Sequence, residues 1–138
     1  MSSTARILIV AHRTAATPKL LDQVRERSRR GACSFVLLVP RPYWDPDTEE
    51  AEKVIELATP LLEEAAGARV EAIVGDTDPF AAVSAALEQS HFDEVILSTL
   101  PRRVSHWLRL DLPARVERLG VPVTVVEAIQ AERAWGTP

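Results

Sequence analysis

An α/β fold, with a five-stranded parallel sheet between two layers of helices, is predicted by three features of the chain. Short apolar runs recur at residues 6–11 (RILIVA), 33–39 (CSFVLLV), 69–75 (RVEAIVG), 94–99 (EVILST) and 121–127 (VPVTVVE). Such runs suit strands covered on both faces, as a parallel sheet requires. Segments with helical apolar spacing separate them, and repeated right-handed crossovers then bring all the strands into one sheet. Prolines stand where helices should begin and glycines where they should end. The doubly wound layout places the first and fourth strands at the reversal of strand order, giving the order 3-2-1-4-5 in a three-layer α/β/α sandwich.

Each element has its own justification. After the first strand the chain turns through residues 12–17, and Thr17 before Pro18 reads as an N-cap and first-turn pair. Leu20, Leu21, Val24 and Ser28 form the inner face of the first helix, Arg25, Arg27, Arg29 and Arg30 lie outward or complement the dipole at its end, and Gly31 closes it. Pro40 and Pro42 stop the second strand. Tyr43 and Trp44 follow in a loop, as packing or as a lid.

Asp47 or Thr48 caps a long acidic helix whose Ala51, Val54, Ile55, Ala58, Leu61 and Leu62 repeat at helical spacing, with Pro60 expected to kink or divide it. The alternation that opens the third strand suits a sheet edge. Asp78 and Pro79 repeat the cap pattern before a helix over residues 80–89 that buries Phe80, Val83, Ala86 and Leu87. After the fourth strand, Trp107, Leu108, Leu110, Leu112, Val116 and Leu119 supply apolar surface, and Pro113 opens a helix that ends at Gly120. Residues 1–128 form one domain and residues 129–138 a loose tail.

Composition narrows the function. A chain of 138 residues, 46% hydrophobic and 26% charged, has the makeup of a globular domain that needs no staples. A net charge of -4 argues against general nucleic-acid binding, which depends on a basic surface. The single cysteine, Cys33, has no partner for an internal disulfide, which fits a reduced cytoplasmic setting. No run approaches the roughly 20 apolar residues needed to span a bilayer, so no membrane role is expected. An amphipathic surface helix over residues 104–119 is disfavoured because Pro113 interrupts its pattern.

Ligands in open parallel sheets bind outside the carboxyl ends of the strands, at the reversal. That places a site at residues 92–103 (FDEVILSTLPRR), where the fourth strand runs into Ser98, Thr99, Pro101, Arg102 and Arg103. His12 and Arg13 follow the neighbouring first strand, and Gly75 opens the turn after the third. The candidate ligand-binding set is therefore His12, Arg13, Gly75, Ser98, Thr99, Arg102 and Arg103. Charge is uneven around it. Residues 45–64 carry eight carboxylates against Lys53, whereas residues 101–119 carry five arginines against Asp111 and Glu117. Guanidinium groups grip phosphate or carboxylate with two prongs. The alternative is that both segments are solvated helix faces, with Arg102 and Arg103 free in water or paired with Asp76 or Asp78.

Over residues 6–127 the layout resembles the universal stress protein family, an adenine nucleotide alpha hydrolase-like, Rossmann-like fold. The likeness rests on RILIVA, on VGDTDP (residues 74–79) leading into a helix, on FDEVILST, and on RVERLGVPVTVV (residues 115–126). It implies a stress-response or regulatory domain. Members that bind ATP carry Gly, two residues, Gly, nine residues, then Gly with Ser or Thr after the fourth strand. Here Ser98, Pro101 and Asp111 with Leu112 stand in those places. A backbone that wraps phosphate needs positive φ and close approach, which proline denies. The acidic residue that meets adenine in the binders corresponds to His12 or Arg13. ATP in the usual mode is therefore not expected, and an anion or nucleotide would be held by side chains.

Three readings follow: a non-catalytic domain that binds an anion or nucleotide at the switch point; a module that pairs with itself through its last strand, as a homodimer, without a ligand; and a small hydrolase or transferase with His12 as base to Ser98. The first is preferred and no cofactor is called for. His12, His91 and His106 lack metal-ligand spacing, and there is no Gly-x-Ser-x-Gly elbow.

Overall fold

The computed structural model describes residues 4–42 and 48–128. The strands are β1 (Ala5–Val10), β2 (Cys33–Pro40), β3 (Glu71–Gly75), β4 (Glu94–Thr99) and β5 (Val123–Glu127). The helices are α1 (Pro18–Arg29), α2 (Glu49–Ala66), α3 (Pro79–Gln89), α4 (His106–Arg109) and α5 (Leu112–Glu117). All strand pairs are parallel, in the order β3-β2-β1-β4-β5. The predicted architecture and order are those observed.

The alternation of side chains along each strand divides the core. Ile7, Ile9, Phe35, Leu37 and Ile96 pack with Leu20 and Val24 of α1 and with Ala51, Val54, Ala58, Leu62 and Ala65 of α2. Leu8, Val10, Val36, Leu38, Val95 and Leu97 pack with Ala82, Val83 and Ala86 of α3 and Leu112 and Val116 of α5. β1, at the centre, is fully buried from Ile7 to Val10. Stripping such a run from water is the main favourable term in folding.

Several local expectations are corrected. Pro60 does not divide α2, which runs unbroken through it. The proline lies on the exposed side, while the apolar stripe from Ala51 to Ala65 holds the helix to the sheet. Leu61 is 43% exposed, and Ala65 takes its place in the core. Thr17 and Thr48 occupy N-cap positions without a side-chain cap bond. Thr17 Oγ1 instead donates to the Thr14 carbonyl, 3.2 Å away.

Arg27 does not point to solvent: its Nε lies 3.1 Å and an Nη 2.7 Å from the Glu94 carboxylate, tying the end of α1 to the start of β4. That hydrogen bond raises the Arg27 pKa further. The segment after β4 holds an extra short helix, α4, capped by Ser105, whose Oγ accepts from the Leu108 N–H at 3.2 Å. Leu110 and Leu119 are exposed rather than buried. β5 begins at Val123, two residues later than expected. Tyr43, Trp44, Asp47 and the tail at 129–138 lie outside the described residues.

Gly75 ends β3 where it crosses α3. A Cβ there would stand 2.7 Å from the Ala82 Cβ and 2.8 Å from the Leu38 Cδ1, both in the core. Gly75→Ala should therefore destabilise the chain by about 1–3 kcal/mol through overpacking. Gly31→Ala should be close to neutral, because nothing lies within 4 Å of its Cβ. Urea unfolding of the two variants checks the contrast.

Candidate functional site

The reversal of strand order leaves a cavity of about 340 Å³ at the carboxyl ends of β1 and β4. After β1 the chain turns towards the layer of α1 and α2. After β4 it turns towards the layer of α3 and α5, so the two exits diverge. The cavity wall mixes polar residues, His12, Arg13, Thr14 and Ser98, with apolar ones, Pro40 and Pro42 from the exit of β2 and Leu100, Val104 and Trp107 from the exit of β4. Arg41, Thr77, Pro79, Thr99, Ser105 and His106 also line it, and no carboxylate does among the described residues.

Hydroxyl groups stitch the two exits together. Ser98 Oγ and Thr14 Oγ1 lie 2.6 Å apart in a buried pair, and Ser98 Oγ also reaches the Thr14 carbonyl at 3.3 Å. Ser98 thus engages Thr14, and its hydroxyl holds the loop after β1 against the end of β4. Thr99 Oγ1 is buried with no hydrogen-bond partner among the described residues, although Thr99 lines the cavity. An unmet buried hydroxyl is costly, on the order of 1–3 kcal/mol, and a ligand atom could relieve it. Arg41 is anchored: its backbone N–H and its Nε each donate to the Gly75 carbonyl at 3.1 Å.

His12 Nε2 lies 3.8 Å from Glu50 Oε1. Burial pushes the His12 pKa below its ordinary 6.5; Glu50 raises it in part, and Arg13 lowers it. Asp76 accepts from the Asp78 N–H at 2.9 Å and the Thr77 hydroxyl at 3.3 Å, while Asp78 caps α3 by accepting from the Phe80 N–H at 3.0 Å. These bonds hold the Asp76 carboxyl below its usual range, the Asp78 N–H contributing most. They also fix the turn that presents Thr77 and Pro79 to the cavity.

Of the residues singled out in the sequence, His12, Arg13, Ser98 and Thr99 meet at the cavity. Arg102, Arg103 and Gly75 do not line it. Arg102 is drawn to the end of β5: its N–H donates to Glu127 Oε2 at 2.6 Å, and its Nε lies 3.9 Å from Oε1. Arg103 is exposed. Neither arginine pairs with Asp76 or Asp78 among the described residues. Thr14, Arg41 and the α4 residues Ser105, His106 and Trp107 were missed. Ser105 carried a legible signal, a serine three residues before the next free helical N–H.

Among the described residues positive φ occurs only at Gly67, Asp111 and Gly120, so the exit from β4 over residues 100–105 has no left-handed backbone. No cluster of three or more potential metal ligands occurs among the described residues, nor does any helix long and apolar enough to cross a membrane.

No protein-family model matches the chain, and no curated protein does. Solved structures do match. A universal stress protein in complex with cAMP aligns at TM-score 0.62 and 16% identity, covering 93% of this chain and 100% of its own. A universal stress protein from Archaeoglobus fulgidus aligns at TM-score 0.64 and 16% identity, over 88% of this chain and 93% of its own. This chain has the universal stress protein fold. A structure of the Archaeoglobus fulgidus universal stress protein with dAMP aligns at TM-score 0.58 and 17% identity, over 91% of this chain and 99% of its own.

The His12 pKa has a measurable consequence. Because it is depressed in the folded state, the unfolded chain takes up the proton more readily below about pH 6.5, and stability falls as pH drops through that window. His12→Gln should lose less unfolding free energy than the wild type between about pH 7.5 and about pH 5.5. Equal losses in urea titrations at the two pH values would remove His12 from that window.

Proposed function

We propose that this chain is a non-catalytic regulatory domain of the universal stress type, which binds a small anion or nucleotide in the cavity between the ends of β1 and β4. The observation that carries the reading is the cavity wall: two arginines, two histidines and five hydroxyl residues, with no carboxylate among the described residues that line it, together with prolines and a tryptophan. Guanidinium, imidazole and hydroxyl donors gathered on one wall favour an anionic group. The Trp107 ring among the lining residues suits a base or another planar body. A volume of about 340 Å³ falls at the small end of ligand pockets, more suited to a monophosphate than to a triphosphate.

Side chains, not backbone, supply the grip. Arg13, His12 and the unmet Thr99 hydroxyl face the anion, Trp107 meets the planar part, and Arg102 and Arg103 add positive charge beyond the cavity. Ser98 acts by holding Thr14 in place. Solved neighbours that carry cAMP and dAMP on this fold support the choice of probes. Catalysis is not part of the reading, since the Ser98 hydroxyl is engaged with Thr14 rather than with a base. The single cysteine fits a reduced cytoplasmic setting.

A second reading, self-pairing as a homodimer through β5, is favoured by one observation. β5 is a sheet edge whose Thr124 and Val125 are exposed. Unpaired edges are templates for another strand.

Thermal unfolding with AMP, cAMP, ATP, phosphate and sulfate separates these readings. AMP or cAMP should raise the melting temperature by several degrees at saturation, with ATP no better. Arg13→Gln and Thr99→Val should each reduce that shift. If none of the five probes moves the transition, the binding reading fails, and light scattering of a Val125→Lys variant then tests the pairing.

A further inference from the structure

The turn after β4 carries much of the cavity wall, yet little ties it down. Residues 101–104 form a tight turn closed by the Val104 N–H, which donates to the Pro101 carbonyl at 2.9 Å. Leu100 precedes this turn, Val104 closes it, and Ser105 and Trp107 follow it, all of them lining the cavity. Among the described residues, one hydrogen bond joins residues 101–104 to another part of the chain. It is the bond from the Arg102 N–H to Glu127 Oε2, at 2.6 Å. A carboxylate accepting from an amide makes a stronger bond than a neutral acceptor does.

Glu127 itself stands outside the cavity and is firmly placed. It is the last residue of β5, opposite Thr99 in the register with β4. The next N–H, that of Ala128, donates to the Thr99 carbonyl at 2.9 Å. The Glu127 carbonyl in turn accepts from Lys19 Nζ of α1 at 2.8 Å. Three elements therefore fix the backbone of Glu127, and its carboxylate passes that fixity to the turn.

We propose that Glu127 is a positioning residue for the cavity: its carboxylate, by holding the Arg102 N–H, sets the turn from which Leu100, Val104 and Trp107 wall the site. The proposal rests on the reading of that cavity as a ligand site, and it makes a prediction whose sign is unusual. Glu127 is a negative charge near a site that takes an anion. By charge alone, its removal should tighten anion binding. A positioning role predicts the reverse, because the wall that meets the planar part of the ligand loses its anchor.

Titration of the ¹⁵N-labelled full chain with AMP, followed by NMR, tests this. In Glu127→Ala the affinity should fall by about tenfold or more, the size expected when a hydrogen bond to a charged group is lost. Glu127→Gln keeps an acceptor oxygen and sheds the charge, so it should bind AMP as well as the wild type or better. Before any AMP is added, the Trp107 indole and Leu108 amide signals should move in Glu127→Ala and stay in place in Glu127→Gln. Arg102→Pro should move them as Glu127→Ala does, because proline suits the second position of the turn but has no N–H to donate. Affinity that is unchanged or higher in Glu127→Ala, or Glu127→Gln as weak as Glu127→Ala, would overturn the proposal. If the wild type takes no AMP, the binding reading falls, and the ligand-free spectra alone decide whether Glu127 places the wall: signals unmoved in Glu127→Ala and Arg102→Pro would overturn that too.

Discussion

Everything in this molecule depends on β1 being hydrogen-bonded on both sides. Its register runs Ala5 opposite Cys33 through Val10 opposite Leu38 on one side, and Ile7 opposite Glu94 through Val10 opposite Leu97 on the other. A strand so placed can show no polar side chain, and residues 7–11 show none. It also forces the chain to build β2 and β3 outward, then return to lay β4 on the opposite flank. Right-handed crossovers on both flanks send the connections after β1 and β4 to different faces. The cavity is what that divergence leaves open, and the site follows from the topology before any side chain is chosen.

What occupies its wall is then a matter of local chemistry. The exit from β4 contains Pro101 and no left-handed residue, so its amides cannot curl around a phosphate. Positive φ survives at Asp111, the position matched to the last glycine of the ATP-binding pattern, but it lies past α4. In place of a backbone cradle the wall offers guanidinium, imidazole and hydroxyl groups, braced by the Ser98 and Thr14 pair and by the bonds from Arg41 to Gly75. The same Gly75 that was read in the sequence as a ligand contact serves through its carbonyl and its missing Cβ, letting β3 close against α3.

The fold was largely legible because its signals are local and repeated: β4 was delimited to the residue, and α1 and α3 were announced by their proline starts. The site was legible only in part. His12, Arg13, Ser98 and Thr99 follow directly from the rule that ligands gather at the ends of strands. Arg102 does not line the cavity because its backbone N–H is held by Glu127, 25 residues away, and a contact between the exit of β4 and the end of β5 leaves no mark in linear spacing. Thr14, Arg41 and Trp107 reach the cavity from three separate exits, which only the assembled sheet brings together. The division expected at Pro60 does not occur, for a related reason. The loss of one helical N–H is a local cost, whereas the stripe that keeps α2 whole spans its length.

In the proposed binding mode, side chains at the β1 and β4 exits, not a phosphate-wrapping backbone, form the ligand surface. Two-dimensional ¹⁵N NMR of the chain titrated with AMP tests it most directly, because it reports side-chain indole and guanidinium N–H groups together with every amide. The Trp107 indole and the Arg13 and Arg41 Nε signals should shift together with amides near Thr14 and Thr99. Shifts confined to the backbone amides of residues 100–105, with those side-chain signals still, would contradict it.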